Sequence, residues 1–382
     1  MTDAPLRVAL VSPRYAPYAG GVERHVQTIA NGLVRRGIAV DVIATDPSHQ
    51  LPAEDEIDGV HVHRFPTVAH DAVFFVAPRL GLWLTQHAQR YSLIHAHSYH
   101  TPLSFQAALA SRWAGVPFVV TPHYHGTGHS KLRSAMHVPY RVIGRWMIRS
   151  AQQVLCVSES EQQLIRAHFG QDVPTSIVHN GVEVDGLLAT PPAYYREGRK
   201  LVLTVGRLEG YKQIDQLIRA MQFLPPHFQL VVVGDGTGRV AIDDLARRVN
   251  PERITITGRV SDAELLRWYR TADVFVSLSQ HEAFGLTLLE GAVAGAPVVV
   301  SDIAAHREVG GYLPQDRLSF VPTTITPEQI ARTIEAAATK QRTTSIEGWP
   351  LPTWDQAIAQ TLDRYRAVLG QTGRGLEQEL AS

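Results

Sequence analysis

Short apolar runs rich in valine, isoleucine and leucine recur along this chain, and a helix-length segment separates most of them from the next. They read LRVALVS, AVDVIAT, SLIHAH, FVVTPH and QQVLCVS, then KLVLTVGR, FQLVVVGDG, ERITITG, DVFVSLS and APVVVSD. Parallel strands need long crossovers, usually helices, so this rhythm predicts parallel sheets covered by helices. At Ile177-Val178-His179-Asn180-Gly181-Val182 the strand signal yields to a turn dipeptide, Pro191-Pro192 follows, and the rhythm restarts. We therefore expect an α/β protein of two doubly wound domains, one over 1–185 and one over 186–355. A chain of 382 residues is too long for one ordinary core, which agrees, and two domains usually face a cleft. Near the end, TWDQAIAQTLDRYRAVLG has Leu362, Tyr365, Val368 and Leu369 on one helical side. That helix, about 356–382, is expected to pack back onto the first domain.

Composition narrows the function classes. With 45% hydrophobic and 19% charged residues and no low-complexity tract, the chain is expected to be globular rather than disordered. The opening MTDAPLRVALVSPRY has only a short apolar run, too short for a secretory leader. The stretch DAVFFVAPRLGLWL is broken by Pro78 and Arg79 before the ~20 residues that a membrane span needs. The single cysteine, Cys156, excludes an internal disulfide and a multi-cysteine zinc site, and fits a reducing cytoplasm. Acidic and basic residues balance at 36 each, yet no acid falls between Asp71 and Glu159, an interval holding Arg79, Arg90, Arg112, Lys131, Arg133, Arg141, Arg145 and Arg149. One domain should thus carry a positive surface.

Ligands of open parallel sheets sit beyond the carboxyl ends of the strands, and the polar motifs lie there. After the first strand, Gly20-Gly21 opens a helix whose bare amides suit a phosphate; the alternative is a flexible turn. In VLTVGRLEGYKQ, Arg207 and Lys212 could clamp a diphosphate, a planar fork and a mobile point charge on one group; the alternative is solvated surface charge. VVVGDGTGR has Gly234, Gly236 and Gly238 in G-x-G-x-G spacing, which is not the dehydrogenase fingerprint. With Gly258-Arg259-Val260 it offers a turn that admits a base or ribose; the alternative is a plain loop. Histidines cluster at His95-Ala96-His97 and His123-Tyr124-His125. Alternation along a strand accounts for such spacing without a metal, and no carboxylate accompanies them, so no metal site is expected. His123 is the one expected in the cleft. Arg141, Arg145 and Arg149, four apart with Trp146 and Met147 nearby, form a basic helical face suited to an anionic acceptor or an acidic membrane surface; the alternative is a solvated face over a core.

The stretch HEAFGLTLLE holds two carboxylates, Glu282 and Glu290, in an otherwise apolar segment. Buried carboxylates need polar partners. About 12 Å apart along a helix, they could hold the two ends of a long ligand whose anionic middle rests on a helix start near Phe284 to Leu286, with Gly285 allowing close approach. A nucleotide sugar fits: sugar hydroxyls at Glu282, diphosphate at the turn Ala283-Phe284-Gly285-Leu286, ribose at Glu290. Alternatively Thr287-Leu288-Leu289-Glu290 is a capping box and Glu290 only satisfies a backbone amide.

HEAFGLTLLE, VGRLEGYK, PRYAPYAGGVERH, SLIHAH, TPHYHG and HNGVEVD, in this order over nearly the whole chain, resemble glycosyltransferase family 4, the retaining GT-B enzymes. The resemblance implies two Rossmann-like lobes facing a catalytic cleft, the donor held by the C-terminal lobe and the acceptor by the N-terminal one, with the last helix crossing back. It further implies that Arg207 and Lys212 hold the diphosphate in place of a metal, and that Glu282 orients the sugar and Glu290 the ribose. His123 would lie near the reacting carbon, and Gly20 and Gly21 would touch phosphate. The implied activity is transfer of a hexose or amino-hexose from a UDP- or GDP-sugar to an acceptor hydroxyl with retention, without metal or other cofactor. Acceptors of the implied kind are a glycan, a lipid-linked sugar, a cyclitol or another small molecule, and nucleic acid is not expected. An epimerase, a phosphorylase or a non-catalytic sugar-nucleotide-binding protein would use the same scaffold.

Overall fold

The computed structural model describes residues 6–70, 74–126, 131–192, 194, 198–343 and 345–371, with the side chains of residue 69 and of the segment 131–139 left out. Asp71, His129, the side chains of Lys131 and Arg133, and the expected helical residues 372–382 lie outside the described residues. The chain divides into two compact units. One comprises Met1–Gly126, Ala135–Asn180 and Thr353–Ser382; the other comprises Thr127–Ser134 and Gly181–Pro352.

The first unit is built on eight strands: β1 (Arg7–Ser12), β2 (Ala39–Asp46), β3 (Glu54–Ile57), β4 (Val60–Pro66), β5 (Leu93–His97), β6 (Phe118–Thr121), β7 (Gln153–Cys156) and β8 (Thr175–Ile177). Their order is β3-β4-β2-β1-β5-β6-β7-β8, all parallel except β3, which pairs antiparallel with β4. Both sheet faces are covered, which is why the strands read as continuous apolar runs. Val8 and Leu10 of β1 pack with Val26 and Ile29 of the helix Gly21–Val34, while Ala9 and Val11 pack with Leu103 and Ala107 of the helix Pro102–Ala114 on the other face. Each fully buried valine or leucine contributes about 1.5–3 kcal/mol. Cys156 is a buried free thiol.

The helix Trp354–Gln371 belongs to this unit. Ile358, Leu362, Tyr365, Val368 and Leu369 are buried in the core that holds Val8 and Leu10. Gly32 has no side chain because Ile358 fills the space where a Cβ would stand.

The second unit carries six strands: β9 (Lys200–Val205), β10 (Phe228–Val233), β11 (Ile254–Gly258), β12 (Val274–Ser277), β13 (Val298–Ser301) and β14 (Leu318–Val321). The order is β11-β10-β9-β12-β13-β14, all parallel. Strand order reverses between β1 and β5 in the first sheet and between β9 and β12 in the second. Such switch points leave a crevice beyond the strand ends, where loops diverge to opposite faces.

Candidate functional site

At the switch point of the second unit, the loop after β9 carries Arg207 and Lys212 and the loop after β12 carries Glu282. The two loops meet: Lys212 Nζ lies 2.5 Å from Glu282 Oε1, and both side chains are largely shielded from solvent. Burial alone would raise the Glu282 pKa. The Lys212 ammonium, the His306 ring and the hydrogen bonds from Lys212 and Ser279 outweigh it, drawing Glu282 down to about 2. Burial likewise works against the charge on Lys212, and Glu282 reverses this and holds the ammonium above its ordinary value. Arg207 is exposed and donates from a guanidinium nitrogen to the Tyr211 hydroxyl at 3.1 Å.

Gly285 follows in a left-handed conformation, φ 105°, as the N-cap of the helix Leu286–Val293, and no side chain caps that end. The first amides of an uncapped helix favour an anion. Ala283 is half-buried beside Glu282, and Phe284 packs into the interior. Thr287 lies inside the helix, so the capping-box alternative for Glu290 is corrected: Gly285 occupies the cap position. The buried Glu290 carboxylate instead accepts from the Tyr269 hydroxyl at 2.7 Å. The two glutamates are thus met by different partners, an ammonium and a phenol.

Around this core, Gly234 donates its amide to the Gly258 carbonyl at 2.9 Å. A Cβ on Gly234 would stand 1.9 Å from the Gly206 carbonyl oxygen, so close packing of the two loops requires glycine there whatever the ligand. Arg259 is exposed and Val260 half-buried just beyond β11.

The first unit brings a different chemistry to its own switch point. Gly20 is the N-cap of the helix Gly21–Val34. The Glu23 carboxylate, paired with Arg14 at 2.6 Å, folds back to where a Cβ of Gly20 would lie. An acid therefore stands over the turn read from sequence as a phosphate site. In the same unit, His25 of that helix, His97 at the end of β5 and His123 just past β6 converge, with ring centroids 5.0–6.0 Å apart. His25 Nδ1 donates to Asn180 Oδ1 at 2.7 Å. Burial lowers the His25 pKa to about 4 and takes His97 and His123 well below the usual range, so all three are neutral near pH 7. His95 is satisfied on both nitrogens by Tyr365 and Thr121.

Arg141, Arg145 and Arg149 are exposed on the helix Lys131–Ser150, as their spacing suggested. Arg149, however, is committed to Asp172 by two bonds of 2.8 and 2.6 Å. Arg145, Arg149 and Arg112 line a surface hollow of about 380 Å³ with Val142, Trp146 and Ser150. No described helix is long and apolar enough to cross a membrane.

Sequence reading missed His25, Tyr269 and His306. His306 is fully buried, bonds Ser301 through Nδ1 at 2.9 Å, and would lie 3.3 Å from a Cβ on Gly285. Tyr269 and His306 sit on elements remote in sequence from the motif they serve, with no spacing signal to mark them, whereas His25 closes the stretch PRYAPYAGGVERH and carries no sign there of the two histidines that other strands bring beside it.

Two family models match the chain, Glycosyltransferase Family 4 over residues 19–185 and Glycosyl transferases group 1 over residues 193–345. An uncharacterized glycosyltransferase of Methanocaldococcus jannaschii is 30% identical over 332 residues, covering 80% of this chain and 82% of the relative. A GDP-mannose-dependent alpha-mannosyltransferase of Mycolicibacterium smegmatis is 28% identical, covering 96% and 98%. Among solved structures, sucrose-phosphate synthase from Thermosynechococcus elongatus has a TM-score of 0.81 at 20% identity, with 96% of this chain and 100% of that one covered. Anabaena HepE in complex with UDP-glucose has a TM-score of 0.69 at 19% identity, covering 97% and 98%. At such identities the structural likeness speaks for the fold.

Proposed function

The chain belongs to glycosyltransferase family 4 and is a glycosyltransferase of GT-B fold, and from that premise we propose a specific reaction for it. A hexose or amino-hexose moves from a UDP- or GDP-linked donor to an acceptor hydroxyl with retention, forming an α-glycosidic bond. The M. smegmatis relative is named for GDP-mannose and an alpha-mannosyl product, and the Anabaena neighbour holds UDP-glucose. Both support a nucleotide-diphosphate sugar and keep both bases in the proposal.

The observation that carries the reading is the Lys212–Glu282 pair beside an uncapped helix start. Without ligand each charge neutralises the other. A diphosphate at the amides of Leu286 and Thr287 competes for Lys212, and Glu282 is released to accept from hydroxyls of the sugar. As the sugar–phosphate bond breaks, negative charge grows on the departing diphosphate. Lys212, Arg207 and the helix amides meet that charge, so the reaction requires no metal at the diphosphate. The acceptor hydroxyl attacks from the leaving-group face and its proton passes to the departing phosphate oxygen. Glycoside and nucleoside diphosphate result, and no enzyme nucleophile takes part.

The remaining roles follow the same reading. Glu290, oriented by Tyr269, takes the ribose hydroxyls; Gly234, Gly258, Arg259 and Val260 border the base; Gly20 and Gly21 approach phosphate; and His123 meets an outer hydroxyl of the sugar. The acceptor is a glycan, lipid-linked sugar, cyclitol or other small molecule. We further propose a cytoplasmic location with Arg141 and Arg145 turned to an anionic acceptor or membrane face.

Thermal-shift measurement with UDP, GDP and their sugars tests the donor. Binding at about 100 times Kd adds about 2.7 kcal/mol of stability, and Lys212→Ala should abolish the shift. If neither diphosphate moves the transition, the reading fails. Chromatography that resolves epimeric sugar nucleotides, run with donor alone and with donor plus acceptor, then separates transfer from epimerisation, which converts donor by itself without a change of mass.

A further inference from the structure

Four histidines crowd the interior at the first unit's switch point, and their hydrogen bonding divides them. His95 is fully occupied. His97 is completely buried with both ring nitrogens unpartnered, and His123 has a buried, unpartnered Nε2. His25 gives Nδ1 to Asn180, which fixes its proton there and leaves Nε2 with the lone pair. One nitrogen from each of His25, His97 and His123 lies within 4.8 Å of the others. Orphaned buried nitrogens are costly unless an unseen atom satisfies them.

We propose that His25, His97 and His123 form a binding site for a divalent transition-metal ion of the zinc type. Three neutral imidazoles are the ligand set that zinc accepts with a fourth position left open. The Asn180 carboxamide supplies the outer-shell bond that orients a ligating histidine. The ligands come from a helix and two adjacent strand ends, so the backbone is braced by the sheet. Ligation at ~2.1 Å brings nitrogens about 3.4 Å apart, which asks the rings to move by about an ångström. A carboxylate-free, thiol-free site of this kind excludes calcium and magnesium, which take oxygen ligands. All three ligands and Asn180 belong to the first unit, and His123 Nδ1 stays available for a sugar hydroxyl. The site does not rest on the donor reading.

Tag-free full-length protein, stripped with chelator and dialysed, is titrated with Zn²⁺ against a chromophoric chelator, and with Co²⁺ while recording visible absorption. One equivalent per chain and tetrahedral Co²⁺ bands are expected. His97→Asn should remove that equivalent, and Asn180→Ala should weaken it about 10- to 100-fold while the chain stays folded. Zn²⁺ should also raise the melting temperature of the wild type and not of His97→Asn. No saturable binding by the wild type, or binding unchanged in His97→Asn and Asn180→Ala, means an adventitious ion only and overturns the proposal. UDP and GDP shifts measured on the stripped protein report on the donor reading separately.

Discussion

Lys212 and Glu282 each make the other's burial tolerable, and removing one strands the other. Replacement of Lys212 by alanine should lower kcat by about 10²–10³-fold, the scale for losing one preorganised charge-stabilising group. Glu282→Gln should cost about 2 kcal/mol of stability at pH 7, the scale of a hydrogen bond to a charged group. The pH dependence has a definite sign. Glu282 is drawn from its ordinary 4.5 to about 2 in the folded chain, so its contribution is complete above 4.5 and disappears as pH falls toward 2. Urea midpoints of wild type and Glu282→Gln should therefore differ most near neutrality, draw together below pH 4.5 and converge only as pH approaches 2. Both carboxylates could be singled out from sequence because charge in an apolar stretch demands a partner. His25 and His306 could not, because a histidine in a helix gives no sign of what a distant strand brings beside it.

The short helix Leu286–Val293 depends on one backbone conformation at its start. Gly285 at φ 105° lets the chain turn from β12 into the helix and leaves the first amides bare. Gly285→Ala should destabilise the protein by about 1–2 kcal/mol through the left-handed strain, aggravated by the His306 ring 3.3 Å from the new Cβ. Urea unfolding checks the stability, and a weaker nucleotide shift should accompany it. The same cap explains why the Thr287 capping box is not formed: a left-handed glycine ends the loop two residues earlier. Other elements escaped the periodicity. Strand β3 is EDEI, a charged, half-exposed edge, and edges are kept polar to prevent further pairing. Its turn, Asp58-Gly59, is nonetheless a hairpin signal. Strand β14 is short and partly exposed at the opposite kind of edge, and its apolar run is too brief to stand out. Central strands were readable because burial on both faces leaves an unbroken apolar run.

At the scale of the molecule, the last helix supplies core to the first unit rather than to the unit that precedes it in sequence. Leu362→Ala, at a side chain 6% exposed, should cost about 2–5 kcal/mol. If the units melt separately, only the transition of the first should move, and tryptophan fluorescence with nucleotide-dependent melting assigns the two. Glycine at position 32 and isoleucine at 358 interlock across the same interface, so enlarging the glycine should act on the same transition. This return of the chain also orders biosynthesis. During translation the N-terminal half leaves the ribosome first, yet its hydrophobic interior is completed only when the final helix emerges. The later half has every strand it needs beforehand, so the nascent polypeptide can finish its middle before its beginning.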